Sequence, residues 1–314
     1  MKKAIPKPPA AVRLLLCGAL LACGNAPAQD DGARITPEQA RANLSRAVVL
    51  AADDKRAFPA APAGFADTLP GVAQGRVEEF GYESPVTGTR RKASVYLPAG
   101  YTPERRYPVL YLLHGIAGNQ DEWRGYVRAN TILDNLIAGG KAPPMIVVMP
   151  NGRALADDRP PPAEGLFTPG HVEGFAKFER ELLGTLIPAV DGRYATVAER
   201  DMRGIAGLSM GGGQALNIGL GHPDTFGWIA GFSAAPNTRP AAELLPGPGQ
   251  ASRQPRLLYL SCGDKDGLIN VSQAVHRRLK QLDMPHVWNV DGYGHDRESW
   301  ADNLYHFARL VFRR

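Results

Sequence analysis

Apolar runs without a polar break punctuate this chain and define its sheet. Pro108–Leu113 and Met145–Met149 are apolar at every position, as strands buried on both faces must be. Lys92–Leu97 alternates in the manner of a strand with one covered face. Further strands are predicted at Arg203–Leu208, Gly227–Ser233, Arg256–Ser261 and His286–Val290. Between them the apolar period lengthens to that of a helix, over Asp121–Ala138, Val172–Pro188, Met210–Gly221, Leu268–Leu282 and Glu298–Phe312. Strands that alternate with helices predict an α/β protein with a mostly parallel central sheet and helices on both faces. The pattern starts at Arg76, so the domain is expected over residues 76–314, and no internal repeat is visible.

What precedes it reads differently. Residues 29–75 are rich in alanine and proline. Thr36 as N-cap, Pro37 in the first turn and Gln39 in the capping-box position predict a short helix running to about Asp53. Phe58–Gly75 reads as a linker, and no chemistry is assigned to this extension. The first 28 residues carry Lys2, Lys3, Lys7 and Arg13 and no acid, followed by a mostly apolar stretch from Ala11 to Ala22 that is too short to span a bilayer. Ala26-Pro27-Ala28 supplies small residues for cleavage, giving a signal peptide over 1–28 and a mature start at Gln29. Lipoprotein processing at Cys23 is the rival, since Leu20-Leu21-Ala22-Cys23 resembles a lipobox. Either way a secreted or periplasmic protein is expected.

Charge then loses most of its meaning. The formal +5 falls to 32 basic against 31 acidic residues once the leader's four cations are set aside. No basic stripe argues for nucleic acid or an anionic membrane surface as a partner. Of three cysteines, Cys17 and Cys23 lie in the leader, so cleavage after Ala28 leaves Cys262 alone and no intrachain disulfide is possible.

The chemistry is carried by Gly207-Leu208-Ser209-Met210-Gly211, directly after one predicted strand and at the start of a helix. Strand, sharp turn and helix with serine at the apex make a nucleophile elbow. A serine hydroxyl needs a base, and the base needs an orienting acid, in the chain order serine, acid, histidine for this architecture. His295, in the glycine-rich loop Asp291-Gly292-Tyr293-Gly294-His295-Asp296 after the last strand, is the expected base; His276 and His306 lie inside helical patterns and His286 begins a strand. Gly263-Asp264-Lys265-Asp266-Gly267 offers two acids. Asp266 is preferred because it lies farther into the loop, while Asp264 can brace the turn or pair with Lys265. An oxyanion needs two backbone N–H donors, expected from Met210, after the nucleophile, and from the loop His114-Gly115-Ile116-Ala117-Gly118, at Ile116. Trp123 either lines an aromatic acyl pocket or packs in the core. The irregular stretches 154–168 and 237–255 follow strand ends and are expected to border the site.

Tyr107–Gly115, Pro144–Val148, Gly207–Gly212 and Gly294-His295-Asp296, in that order, resemble the esterase-D-type esterase family, which includes the feruloyl and acetyl-xylan esterases of carbohydrate esterase family one. Ser209–Gln214 and Ser233–Asn237 most resemble the feruloyl esterase modules. The resemblance covers about residues 76–313 and implies an α/β-hydrolase fold and hydrolysis of carboxylic esters, with no cofactor or metal. It implies Ser209, Asp266 and His295 as a triad, with Ile116 and Met210 as oxyanion donors. Cleavage of siderophore esters and acyl transfer of the mycolyltransferase type would use the same residues.

Overall fold

The computed structural model describes residues 37–247 and 254–313. The leader expected over 1–28, its Cys23 alternative and the Thr36 cap lie outside the described residues. After helix α1 (Pro37–Leu44) come β1 (Arg76–Ser84), β2 (Thr89–Leu97), β3 (Val109–Leu113), α2 (Ala129–Ala138) and β4 (Ile146–Pro150). The second half runs α3 (Pro169–Glu181), α4 (Ile187–Arg193), β5 (Arg203–Leu208), α5 (Ser209–Gly221), β6 (Trp228–Phe232), α6 (Ala241–Leu244), β7 (Leu257–Gly263), α7 (Ile269–Gln281), β8 (Val287–Asp291) and α8 (Arg297–Ala308). The eight strands form one sheet in the order β1-β2-β4-β3-β5-β6-β7-β8, parallel from β4 to β8 and antiparallel at the β1–β2–β4 end. This is the α/β-hydrolase architecture.

Alternation along β3 shows why its whole run is apolar. Val109, Tyr111 and Leu113 enter one core layer, together with Phe178, Leu186 and Leu216 from the helices on that face. Leu110 and Leu112 enter the other, where α2 and α8 contribute Ile132, Leu136, Leu304 and Phe307. Successive side chains of a strand point to opposite faces, so a strand covered on both has no position for a polar residue.

Trp123 belongs to the second layer. It is 1% exposed, its ring edge meets Phe232 and its indole N–H donates to the Leu113 carbonyl at 2.8 Å. The acyl-pocket expectation for Trp123 is therefore corrected: ring and polar tip are both consumed by the core. The predicted helix over Asp121–Ala138 is broken as well. A widened turn at Trp123–Val127 ends at Arg128, which takes φ 64°, and α2 starts after it.

The expected linker is a strap. α1 ends at Leu44 rather than near Asp53, and the chain then crosses the β8 edge of the sheet. Val290 donates its N–H to the Lys55 carbonyl at 3.0 Å and Ala57 donates to the Asn289 side chain at 2.9 Å. Buried Asp54 accepts from Ala51, Gln273 and Trp288. Phe58 stacks on His306 with centroids 4.8 Å apart, and Asn135 of α2 holds the carbonyls of Phe65 and Asp67. Proline and alanine gave this segment no apolar period, yet its backbone is fastened at each turn by side chains of the domain.

Candidate active site

β5 delivers Ser209 at its carboxyl end. Gly207 and Gly211 make the sharp reversal possible: a Cβ on Gly207 would lie 2.2 Å from the Gly211 carbonyl oxygen, and one on Gly211 would lie 2.5 Å from the carbonyl oxygens of Leu113 and His114. Ser209 itself takes φ 52°, a left-handed conformation that side chains rarely adopt. Its hydroxyl lies 2.9 Å from Nε2 of His295, and Nδ1 of His295 lies 2.8 Å from Oδ2 of Asp266. Hydroxyl, imidazole and carboxylate, separated by 86 and 29 residues, thus form one hydrogen-bonded line.

The two loops that carry the acid and the base lie against one another. Asp264 and Lys265 donate backbone N–H groups to the carbonyls of Asp291 and Tyr293. Asp296 caps α8 through Ser299 and also accepts from Gly294, so it fixes both sides of His295. Asp266 is fully buried. Its Oδ1 accepts the Leu268 N–H at 2.9 Å, and the Cys262 thiol donates to its Oδ2 at 3.3 Å. Burial pushes this carboxyl up, but the His295 bond and charge, the Leu268 N–H and the thiol together outweigh it and hold Asp266 below the ordinary carboxylate range. Lys265 turns its ammonium to the Gly292 carbonyl rather than to Asp264.

Beside the serine runs the loop from His114 to Gly118. A Cβ on Gly115 would lie 3.5 Å from that of Ser209. Among the described residues the Ile116 N–H has no hydrogen-bond acceptor, and Met210, in the first turn of α5, has no intrahelical carbonyl to donate to. His114 is buried and serves the loop. The Gly152 N–H donates to its Nε2 at 2.7 Å, so the ring proton sits on Nδ1 and is donated to the Gly115 carbonyl at 2.6 Å. Burial pushes its pKa down to about 3, with the Arg153 charge acting in the same direction.

Around this line Phe175, Met210, Ala235 and Leu268 form a small apolar cluster apart from the two main core layers, with Ile116 and Val172 partly exposed at its edge. Among the described residues no three carboxylates, imidazoles or thiols gather as metal ligands would.

The Putative esterase family matches residues 84–307. The chain belongs to this family. The reaction in the family's name, hydrolysis of a carboxylic ester, is one that the arrangement above can perform. Among curated proteins the esterase is similar to an endo-1,4-β-xylanase/feruloyl esterase of Xylanibacter ruminicola, 32% identical over 77% of this chain and 32% of that protein. It is also similar to endo-1,4-β-xylanase Y of Acetivibrio thermocellus, 32% identical over 44% of this chain and 12% of that protein. The matched region thus spans a third or less of these relatives. Among solved structures, a CE1 ferulic acid esterase from Anaeromyces mucronatus, in complex with ferulic acid, superposes with a TM-score of 0.73 at 27% identity, covering 81% of this chain and 96% of that one.

Several residues of the esterase's site carry no sequence signal. His171, on α3, lies 3.2 Å from the Ile116 carbonyl oxygen through Nε2. Arg153 donates to the Gly118 carbonyl, and Glu122 accepts from Gly115. The indole of Trp300 meets the His295 ring edge-on at 5.2 Å. Of these, only Trp300 could have been suspected, as an aromatic five residues beyond a predicted base. The stretch 154–168 leads into α3 and is held by Asn151 and Arg153, both of which donate to the Asp158 carbonyl.

Proposed function

We propose that this protein is a secreted serine esterase that hydrolyses feruloyl or acetyl esters of carbohydrate through an acyl-enzyme. His295 Nε2 takes the Ser209 proton as Oγ attacks the ester carbonyl carbon. Asp266 keeps the imidazole in the tautomer that has Nδ1–H and stabilises the cation that forms. The N–H groups of Met210 and Ile116 receive the negative oxygen. The intermediate collapses when His295 returns its proton to the departing alcohol. Water then attacks the acyl carbon as His295 takes one of its protons, and His295 returns that proton to Ser209 Oγ as the C–Oγ bond breaks and the acid leaves.

The observation that carries this reading is the unbroken line Ser209–His295–Asp266, with the serine held at φ 52°. The substrate class is supported by relatives named for feruloyl esters and ferulic acid, and by the apolar cluster beside the serine, which suits an aromatic acyl group better than a charged one. Export is supported by the basic-then-apolar leader that ends at Ala26-Pro27-Ala28. No described helix is long and apolar enough to cross a membrane.

The test is a panel of methyl ferulate, acetylated xylan, short p-nitrophenyl esters and a triscatecholate siderophore, run with wild type and Ser209→Ala. Turnover of ferulate or acetyl esters that is lost in the variant supports the reading. Turnover retained in Ser209→Ala refutes the mechanism, and a preference for the siderophore, or for transfer to a sugar acceptor over water, refutes the substrate class. N-terminal sequencing of the exported protein separates a start at Gln29 from lipidation at Cys23.

A further inference from the structure

Three side chains, one from the loop's first residue and two from beyond it, fasten carbonyls between Gly115 and Gly118. His114 holds that of Gly115, His171 that of Ile116 and Arg153 that of Gly118. A fourth fastening has the opposite polarity: Oε2 of Glu122 accepts the Gly115 N–H at 2.7 Å. Across a trans peptide, C=O and N–H point in opposite directions. Holding the Gly115 carbonyl on His114 therefore turns the Ile116 N–H the other way, and holding the Gly115 N–H on Glu122 fixes the preceding plane. Glycine flips more readily than any other residue, so here the two peptide planes that meet at Gly115 are pinned from both sides.

Glu122 reaches this position because residue 118 has no side chain. A Cβ on Gly118 would lie 2.3 Å from Oε2 of Glu122 and 2.6 Å from its Cδ. Gly118 is not in the left-handed region, so its backbone does not require glycine; the carboxylate does. Glu122 is half-buried. Burial holds its carboxyl above the ordinary carboxylate range, although the Gly115 N–H and the charges of Arg153 and His295 act the other way. Its side chain's one hydrogen bond among the described residues is to the Gly115 N–H, outside the Ser209–His295–Asp266 line, so its role is sought in that bond.

We propose that Glu122 is a positioning residue for the oxyanion hole. It holds Gly115 so that the Ile116 N–H faces the site, and Gly118 is the gap that admits it. The inference rests on the ester-hydrolysis reading and deepens it.

Kinetics on a p-nitrophenyl ester, with thermal melts of every variant, test it. Glu122→Ala is expected to lower kcat by about 10-fold or more, toward the roughly 100- to 1,000-fold cost of a lost oxyanion donor, with KM little changed. Glu122→Gln keeps an acceptor oxygen and recovers most of the rate. Gly118→Ala evicts the carboxylate and matches Glu122→Ala, and the double variant is no slower than either single one. A boronic acid that mimics the tetrahedral intermediate loses affinity in step with kcat, whereas the product acid does not, a split that a purely structural role would not produce. The inference is overturned if Glu122→Ala keeps wild-type kcat, if Gln is as damaging as Ala, or if the Gly118 and Glu122 effects simply add. Should Glu122→Ala fail to fold, Gly118→Ala and Glu122→Gln decide between the same outcomes. Wild type that neither turns over esters nor is labelled at Ser209 by a fluorophosphonate sinks the hydrolase reading itself; wild type that does both, beside an unimpaired Glu122→Ala, sinks only the inference.

Discussion

Oδ1 of Asp302, in the last helix, accepts the N–H of Ala61 at 2.6 Å across 241 residues of sequence. The same carboxylate meets Arg56 at 3.5 Å and is 1% exposed. It is thus a principal anchor of the strap. Asp302→Ala leaves the Ala61 N–H without its acceptor, which costs about 1–3 kcal/mol for a buried group. Asp302→Asn retains an acceptor and should lose less. Urea unfolding of the two variants checks this; equal midpoints for both and for wild type would show that the strap is not fastened there.

Asp266 and Asp264 divide cleanly in their expected effects. Asp266→Asn keeps the shape but presents the wrong hydrogen-bond polarity to Nδ1 of His295, and kcat should drop about 10⁴-fold. Asp264→Asn should leave kcat within a few-fold of wild type, since its side chain is outside the Ser209–His295–Asp266 line. Acid should erase the folding contribution of Asp266. Its folded pKa is depressed, so its stabilisation is present above the unfolded carboxyl value of about 3.9 and is lost as pH falls through the lower folded value. The stability difference between wild type and Asp266→Asn should narrow across that window in urea melts.

His114 should produce acid sensitivity at a higher pH. Its unfolded imidazole binds a proton below about 6.5, whereas the folded one resists protonation down to about 3. The stability it contributes is complete above the unfolded value and falls as pH drops toward the folded one, by up to about 1.4 kcal/mol per pH unit. Comparing urea midpoints of wild type and His114→Gln between pH 7 and pH 5 isolates this slope. Parallel lines would mean that His114 is not the group responsible.

The left-handed backbone of Ser209 predicts an exchange of activity for stability. Ser209→Ala keeps a Cβ at φ 52° and so keeps the strain. Ser209→Gly should be more stable than Ser209→Ala by on the order of 1 kcal/mol, with both inactive. Calorimetry of the pair measures the strain held at the elbow.

Much of this architecture was legible because burial leaves a pattern. β3 and β4 have two covered faces and no polar residue, and β5 runs straight into Ser209 with the bounds expected. β1 was missed: Arg76–Ser84 pairs only with β2, lies half exposed, and mixes glutamates with aromatics in no clean alternation. The break at Arg128 was illegible because a left-handed arginine follows from packing, not from propensity. The order serine, acid, histidine exposed the reactive line, since each member sits after a strand. Glu122 and His171 left no such trace, because they act on backbone atoms and any chain position that reached those atoms would serve.

The strap along β8 also bears on how copies of this protein behave toward each other. By taking up the Val290 N–H and bonding the Asn289 side chain, residues 55–57 cover part of an edge that would otherwise be free to pair with a strand of another molecule. A variant shortened past Lys55 should therefore associate edge to edge as its concentration rises, so its loss of solubility would begin at β8 rather than at the exposed apolar residues elsewhere on the surface.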